Sequence, residues 1–245
     1  MNKYITLFLT VFLTVFLTSC QVTETIHLKE DGTGNIEIRK LRDEHSYMQL
    51  MGENYSKEDV FKDTTYVFKD LITKHSETFS RLPAFEKAIF EKFKTVKVHV
   101  KKSSFEKEFR TTITQNFTKI EEVADLHKTE EYADDIENNY ALVAEEHYYS
   151  VNYTFNGSVF NRIVKITDAD ELKKQQGKVD GYKTQVSKFK ITQDYVLKYY
   201  FPRKIKSVSN SKAKISEDRT SMELNFSLTD CLQNPEITSL EVLLE

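Results

Sequence analysis

The chain is predicted to be an α+β protein, with an antiparallel sheet or sheets of hairpins and inserted helices packed on one face. Three patterns lead there: period-two runs near both ends, a central stretch of helical period, and an Asn-Gly pair between two β-branched runs. Val22, Glu24, Ile26 and Leu28 alternate with Thr23, Thr25, His27 and Lys29. After Glu30-Asp31-Gly32-Thr33-Gly34 the alternation resumes at Ile36 and Ile38, a hairpin signal because glycine accepts the positive φ of a tight turn. Residues 42–62 are mixed and polar, with a helix expected around Tyr47 to Met51. Phe68, Leu71, Ile72, Phe79 and Leu82, then Phe85, Ile89 and Phe93, follow a helical period on either side of Pro83. They predict a helical hairpin with Pro83 in the first turn of its second helix. Val96, Val98 and Val100, then Phe109, Thr111, Ile113, Gln115 and Phe117, predict two antiparallel strands with one face in water.

The second half reads in the same way. Residues 120–146 form an acidic, helical insert, with ten Asp or Glu against Lys128. Strands at 148–155 and 159–166 are joined by Asn156-Gly157, the strongest short hairpin cue in the chain. Asp168 to Gln176 is expected to be a short helix and 177–187 a polar connection. Residues 194–245 hold three candidate strands, broken at Pro202, Asn210-Ser211, Glu217-Asp218 and Asn234-Pro235.

Composition bounds the function. The 245 residues are 30% charged and 39% hydrophobic, enough for a core of one domain or at most two. The net charge of −3 supplies no field to attract nucleic acid. Only Cys20 and Cys231 are present, and Cys231 is expected to be a small apolar filler near the last strand.

The N-terminus carries an address. Tyr4 to Ser19 is nearly all Leu, Phe, Val and Thr, but its 16 residues fall short of the roughly 20 needed to cross a bilayer. Lys3 precedes it and no acid interrupts it, the pattern of an export signal. Leu17-Thr18-Ser19-Cys20 then resembles the bacterial lipobox, in which the cysteine is acylated and becomes the mature N-terminus. The resemblance implies a signal peptide at 1–19, a single α+β envelope domain at 20–245, and attachment to a membrane through acylated Cys20. Gln21 in place of Asp favours the outer membrane, periplasmic side. Only Gln21 separates the lipid from the first strand signal, so the domain is expected to sit close to the membrane.

Two further stretches carry a family resemblance. "TIHLKEDGTGNIEI", residues 25–38, and "YYFPRKIKSVSNSKAKISEDRTSMELNFSL", residues 199–228, are similar to uncharacterised lipoproteins of Bacteroidetes, and more remotely to the mycobacterial LppM-type lipoprotein domain. The latter implies an α+β envelope domain that binds lipid or glycolipid, and it brings no catalytic residues.

Motifs for chemistry are sparse. Gly32-Thr33-Gly34 fails as a dinucleotide loop, because Glu37 replaces the third glycine and a strand follows. Six scattered histidines show no two-ligand helical spacing. Glu145, Glu146 and His147 are adjacent, and neighbours in sequence point apart on a helix. No nucleophile elbow or Ser-x-x-Lys set is present. No metal, cofactor or catalytic residue is therefore assigned.

Charge says more. From Lys198 to Lys214 there are six Lys or Arg and no acid. Tyr195, Leu197, Tyr199, Phe201 and Ile205 alternate with Lys198, Tyr200, Lys204 and Lys206, giving on one strand an apolar and a cationic face. Lys198, Tyr200, Lys204 and Lys206 are thus a candidate contact patch for anionic head groups or an acidic partner, against the default of a solvated sheet face. The acidic insert is weighed likewise: a cationic partner or Ca²⁺ against a solvated helix. Five Asn-x-Ser/Thr sequons, at Asn54, Asn116, Asn152, Asn156 and Asn225, carry no meaning in a bacterium, whereas Asp63-Thr64-Thr65 resembles the Bacteroidetes O-glycosylation motif.

The expected function is a non-enzymatic envelope lipoprotein that binds a lipid, a glycolipid or an envelope protein. The alternatives are an assembly factor acting by protein contacts, and a cell-wall or glycan hydrolase supported by location alone.

Overall fold

The structure, a computed structural model, describes residues 20–57, 59–138, 148–186 and 193–245. The signal segment 1–19, the Glu145-Glu146-His147 cluster and the side chain of Cys20 lie outside the described residues. The chain folds as an α+β protein around two sheets. Strands β1 (Cys20–Leu28), β2 (Gly34–Arg42), β3 (Phe61–Val67), β4 (Lys97–Ser103), β5 (Glu108–Phe117), β8 (Asp194–Tyr200), β10 (Lys214–Ile215) and β11 (Ser221–Ser227) form an eight-stranded sheet. Its order is β10-β11-β8-β1-β2-β5-β4-β3. Strands β6 (Tyr149–Phe155), β7 (Val159–Ile166), β9 (Ile205–Val208) and β12 (Leu240–Leu244) form a four-stranded sheet in the order β6-β7-β12-β9. Pairings are antiparallel except that β1 runs parallel to β8, a long-range contact that no hairpin cue announces.

Alternation along each strand decides what is buried. Val22, Glu24, Ile26 and Leu28 of β1, Ile36 and Ile38 of β2, Ile113 and Phe117 of β5, and Tyr195, Leu197 and Tyr199 of β8 share the inner face of the large sheet. The smaller sheet covers one part of that face. Helices α2 (Phe68–Lys74), α4 (Ala84–Phe93) and α5 (Thr129–Asn138) cover another. Phe68, Phe90, Phe93 and Tyr132 make an aromatic cluster there, with ring centroids 5.1–6.0 Å apart. Gln115 ties the layers together: its amide donates to the Lys92 carbonyl at 3.0 Å and its oxygen accepts from the Ala124 N–H at 3.0 Å.

Several expectations change. The first helix of the predicted hairpin breaks at His75 into α2 and α3 (Ser76–Arg81), and Pro83 caps α4 from outside instead of lying in its first turn. Strand β3 leaves no alternation in the sequence because it is an exposed edge strand with no buried face. A helix does follow β2, α1 (Glu44–Met51). The short helix expected to end at Gln176 runs on as α6 (Ala169–Val186), through Gly177 and Gly181. Each glycine costs a helix about 1 kcal/mol. Docking offsets it: Val179 is buried, and Gln176 donates to the Gln233 carbonyl at 2.8 Å. The partner is α7 (Leu228–Gln233), one of the elements where only three strands were expected; five strands and this helix are found.

The acidic insert is not a solvated helix throughout. Two 3₁₀ turns, Ile120–Glu122 and Leu126–Lys128, precede α5. Glu121 accepts the Phe155 N–H at 2.8 Å and Asp125 accepts the Val151 N–H at 3.0 Å. Both N–H groups belong to β6, the edge of the small sheet. The carboxylates take the place of a missing neighbour strand and close that edge to pairing.

Candidate functional site

The most polar part of the interior lies where β1 faces β7. Glu24 is fully buried and Arg162 of β7 nearly so. The guanidinium Nη2 donates to Glu24 Oε2 at 3.0 Å and Nε to Oε1 at 3.1 Å, joining the two sheets. Three tyrosines add donors: Tyr199 at 2.5 Å and Tyr153 at 2.9 Å to Oε1, and Tyr195 at 3.0 Å to Oε2. His127 Nε2 sits 3.0 Å from both Glu24 Oε2 and the Tyr195 hydroxyl. Arg162 Nη1 is satisfied by the Thr238 hydroxyl at 2.7 Å and carbonyl at 3.2 Å. Burial alone would raise the Glu24 carboxyl, but Arg162 and the His127 bond outweigh it and hold it well below the usual carboxylate range. The same burial pushes the hydroxyls of Tyr153, Tyr195 and Tyr199 well above the phenol range, so they stay protonated as donors. An ionised carboxylate has about four lone-pair positions. Five side chains occupy those of Glu24, so the cluster welds two sheets and offers no open position to a substrate.

Sequence reasoning did not single this cluster out, yet a signal was there. Glu24 stands in register with Val22 and Ile26, and Arg162 with Phe160 and Val164, so each strand carries one charge on its apolar face, and the charges are opposite.

The predicted contact patch is divided by the fold. Pro202 follows the end of β8, Lys204 lies in the connection and Lys206 in β9 of the other sheet, so the four residues do not share one strand face. The alternation fails there because the chain turns between sheets, keeping both Phe201 and Ile205 inward. Lys198 is partly neutralised by Glu223 at 3.2 Å, and Tyr200 stacks on His27 with ring centroids 4.2 Å apart. Lys198 and Tyr200 line a shallow hollow of about 290 Å³ on the outer face of the large sheet, with Lys214, Ile215, Ser221 and Glu223. Lys204 and Lys206 remain exposed. Tyr200 pairs with His27 and Cys20 with Arg42, so the hollow and the lipobox cysteine are at opposite ends of β1. At about 3.3 Å per residue, seven residues separate them by about 23 Å.

The remaining motifs find structural places. Asp63 of the Asp63-Thr64-Thr65 motif lies on exposed β3, held by His99 at 3.0 Å and Lys101 at 3.3 Å. Cys231 is buried, and burial pushes its thiol up to about 12. Of the two turn glycines, Gly32 takes a positive φ of 81°, whereas Gly34 is required by space: an added Cβ would lie 2.1 Å from the His27 carbonyl oxygen.

Fold and site together define an α+β protein of two facing sheets with a buried ion-pair centre. Comparison with known proteins finds a distant likeness to the NMR structure of the folded domain of LppM from Mycobacterium tuberculosis, with a TM-score of 0.37 and 9% identity over 93% of this chain and 90% of that one. No family model and no curated protein matches the chain, so the resemblance to Bacteroidetes lipoproteins gains no support from them.

Proposed function

We propose that the chain is a non-enzymatic cell-envelope lipoprotein, anchored by acylated Cys20 on the periplasmic side of the outer membrane, whose domain contacts a lipid, a glycolipid or an envelope protein. The observation that carries the reading is the place of the lipobox cysteine in the fold. Cys20 is the first residue of β1, already in the ladder opposite Arg42, in the middle of the large sheet. A cysteine so placed ties its acyl chains to the rigid core, and two or three chains make such an attachment durable.

The test is detergent-phase partition of the full chain expressed in bacteria, with the mass of its N-terminal peptide. Wild type is expected in the detergent phase with a diacylglyceryl cysteine, and Cys20→Ala in the aqueous phase. Detergent partition of Cys20→Ala with the mass of a lipidated chain removes the assignment.

Action through protein contacts is favoured by one observation, the distance of the Lys198 hollow from Cys20. An anchored domain would present that hollow away from the lipid. Lys198→Gln with Lys214→Gln, both in the lining of the hollow, is then expected to abolish crosslinking to a neighbour in the native membrane without unfolding the chain; unchanged crosslinks would remove the hollow from that role.

A further inference from the structure

One edge of the large sheet gathers apolar side chains that the core does not use. The pairs Cys20 with Arg42, Leu41 with Arg110, Ser103 with Glu108 and Phe61 with Ser103 place the start of β1, the end of β2, the β4–β5 turn and the start of β3 at the same end of the ladder. Helix α1 follows β2 after Asp43 and stays there, because Arg42 stacks on Tyr47 of that helix, 3.7 Å from the ring centroid. Among the described residues eight large hydrophobic side chains are exposed, and five of them, Leu41, Met48, Val60, Phe61 and Phe105, are at this end. Phe61 is 75% exposed and Phe105 95%. Such a concentration marks a surface that meets something apolar.

Phe105 is held out by a built turn. The Ser104 N–H donates to the Val60 carbonyl and the Val60 N–H to Ser104 Oγ, both at 2.9 Å. The Glu106 N–H donates to Ser103 Oγ at 3.0 Å, and Lys107 takes a left-handed φ of 57°. Lys62 and Lys107 are exposed beside the two phenylalanines, where a long stem can follow a ring inward while its amine stays at the head groups.

We propose that this edge is a bilayer-insertion rim. Phe105 and Phe61, flanked by Leu41, Val60 and Met48, enter the interfacial layer beside the acyl chains of Cys20 and stand the large sheet upright on the membrane. The inference rests on the lipid-anchor reading. The bilayer is the occupant because Gln21, next to the anchor residue, pairs directly with Leu41, so the backbone of the anchor residue lies at this edge. Apolar side chains beside a lipid anchor gain from burial at the head-group boundary.

The chain contains no Trp, so Phe105→Trp and, as a control at the other end of β1, Tyr200→Trp each create a single-tryptophan protein. Each full chain is expressed in bacteria and purified from membranes. It is then reconstituted into vesicles of phosphatidylethanolamine and phosphatidylglycerol, with and without brominated acyl chains. The N-terminal peptide mass is read from the same sample. The expected result is an acylated Cys20, blue-shifted emission at position 105 quenched by the brominated lipid, and unquenched emission at position 200. Acylated Cys20 with unquenched emission at position 105 overturns the rim and leaves the anchor standing. An unmodified Cys20 overturns both. A blue shift that appears without vesicles and grows with protein concentration gives the edge to a second copy of the chain and also overturns the rim.

Discussion

Removing both charges of the Glu24–Arg162 pair should cost less than the sum of removing each alone. In Glu24→Gln the shape is kept, but the Arg162 guanidinium remains buried without its counter-charge, 3.0 Å from a neutral amide. Breaking a buried pair in this way costs about 3–5 kcal/mol, much of it the desolvation of the orphaned ion. Domains are stable by about 5–15 kcal/mol in all. For a chain of this size each kcal/mol moves Tm by about 2–4 °C, so Tm should fall by about 6–20 °C. Arg162→Met alone leaves the carboxylate buried, still facing three tyrosine hydroxyls and His127, and should cost a similar amount. The double variant Glu24→Gln with Arg162→Met buries no net charge. It should be more stable than the sum of the single losses by about 2 kcal/mol or more, within the range measured for contacting residues. Urea unfolding followed by far-UV circular dichroism gives the three differences. Additive losses, or a Glu24→Gln variant within about 1 kcal/mol of wild type, would refute the account of this cluster as a coupled weld.

Acid should act on the same pair. The Glu24 carboxyl is held well below 4.5 in the folded chain and returns towards 4.5 on unfolding, so the unfolded chain binds more protons in the window below 4.5. The stabilisation is complete above about pH 4.5 and is lost as pH falls through the folded value; Tm measured from pH 7 to 3 should fall more steeply for wild type than for Glu24→Gln, and parallel curves would count against it. Gly34→Ala should destabilise by about 3 kcal/mol, the upper part of the overpacking range, because the obstacle at 2.1 Å is a backbone oxygen that cannot rotate away. Gly32→Ala, which meets open space at a positive φ, should cost only about 1–2 kcal/mol in the same urea titration. Cys231, with its thiol pushed up to about 12, should resist iodoacetamide at pH 8 until urea is added; rapid labelling of the native chain would contradict its burial.

Local chemistry made the hairpins legible. Gly32 and Asn156-Gly157 place the turns of β1–β2 and β6–β7, and alternation names the inner residues of β1, β2, β5 and β8, because side-chain direction in a strand follows from sequence position alone. Where an element lacks a buried face or is held by distant partners, that reasoning fails. β3 at an exposed edge shows no alternation, and α6 continues through two glycines because α7, more than forty residues later, supports it. The candidate patch is divided for a related reason: alternation along one strand does not continue past Pro202, where the chain changes sheets.

Spacing within a few residues is enough to carry the α+β class, the buried faces of β1, β2, β5 and β8 and the lipobox resemblance at Cys20. Tertiary structure alone decided which distant segments meet. It set β1 parallel to β8, Glu24 against Arg162 across 138 positions, the acids of the insert along the edge of β6, and Phe61 and Phe105 at the Cys20 end of the large sheet. Sheet order and register carry that information. They follow from the joint burial of many side chains, which no single stretch of the chain contains.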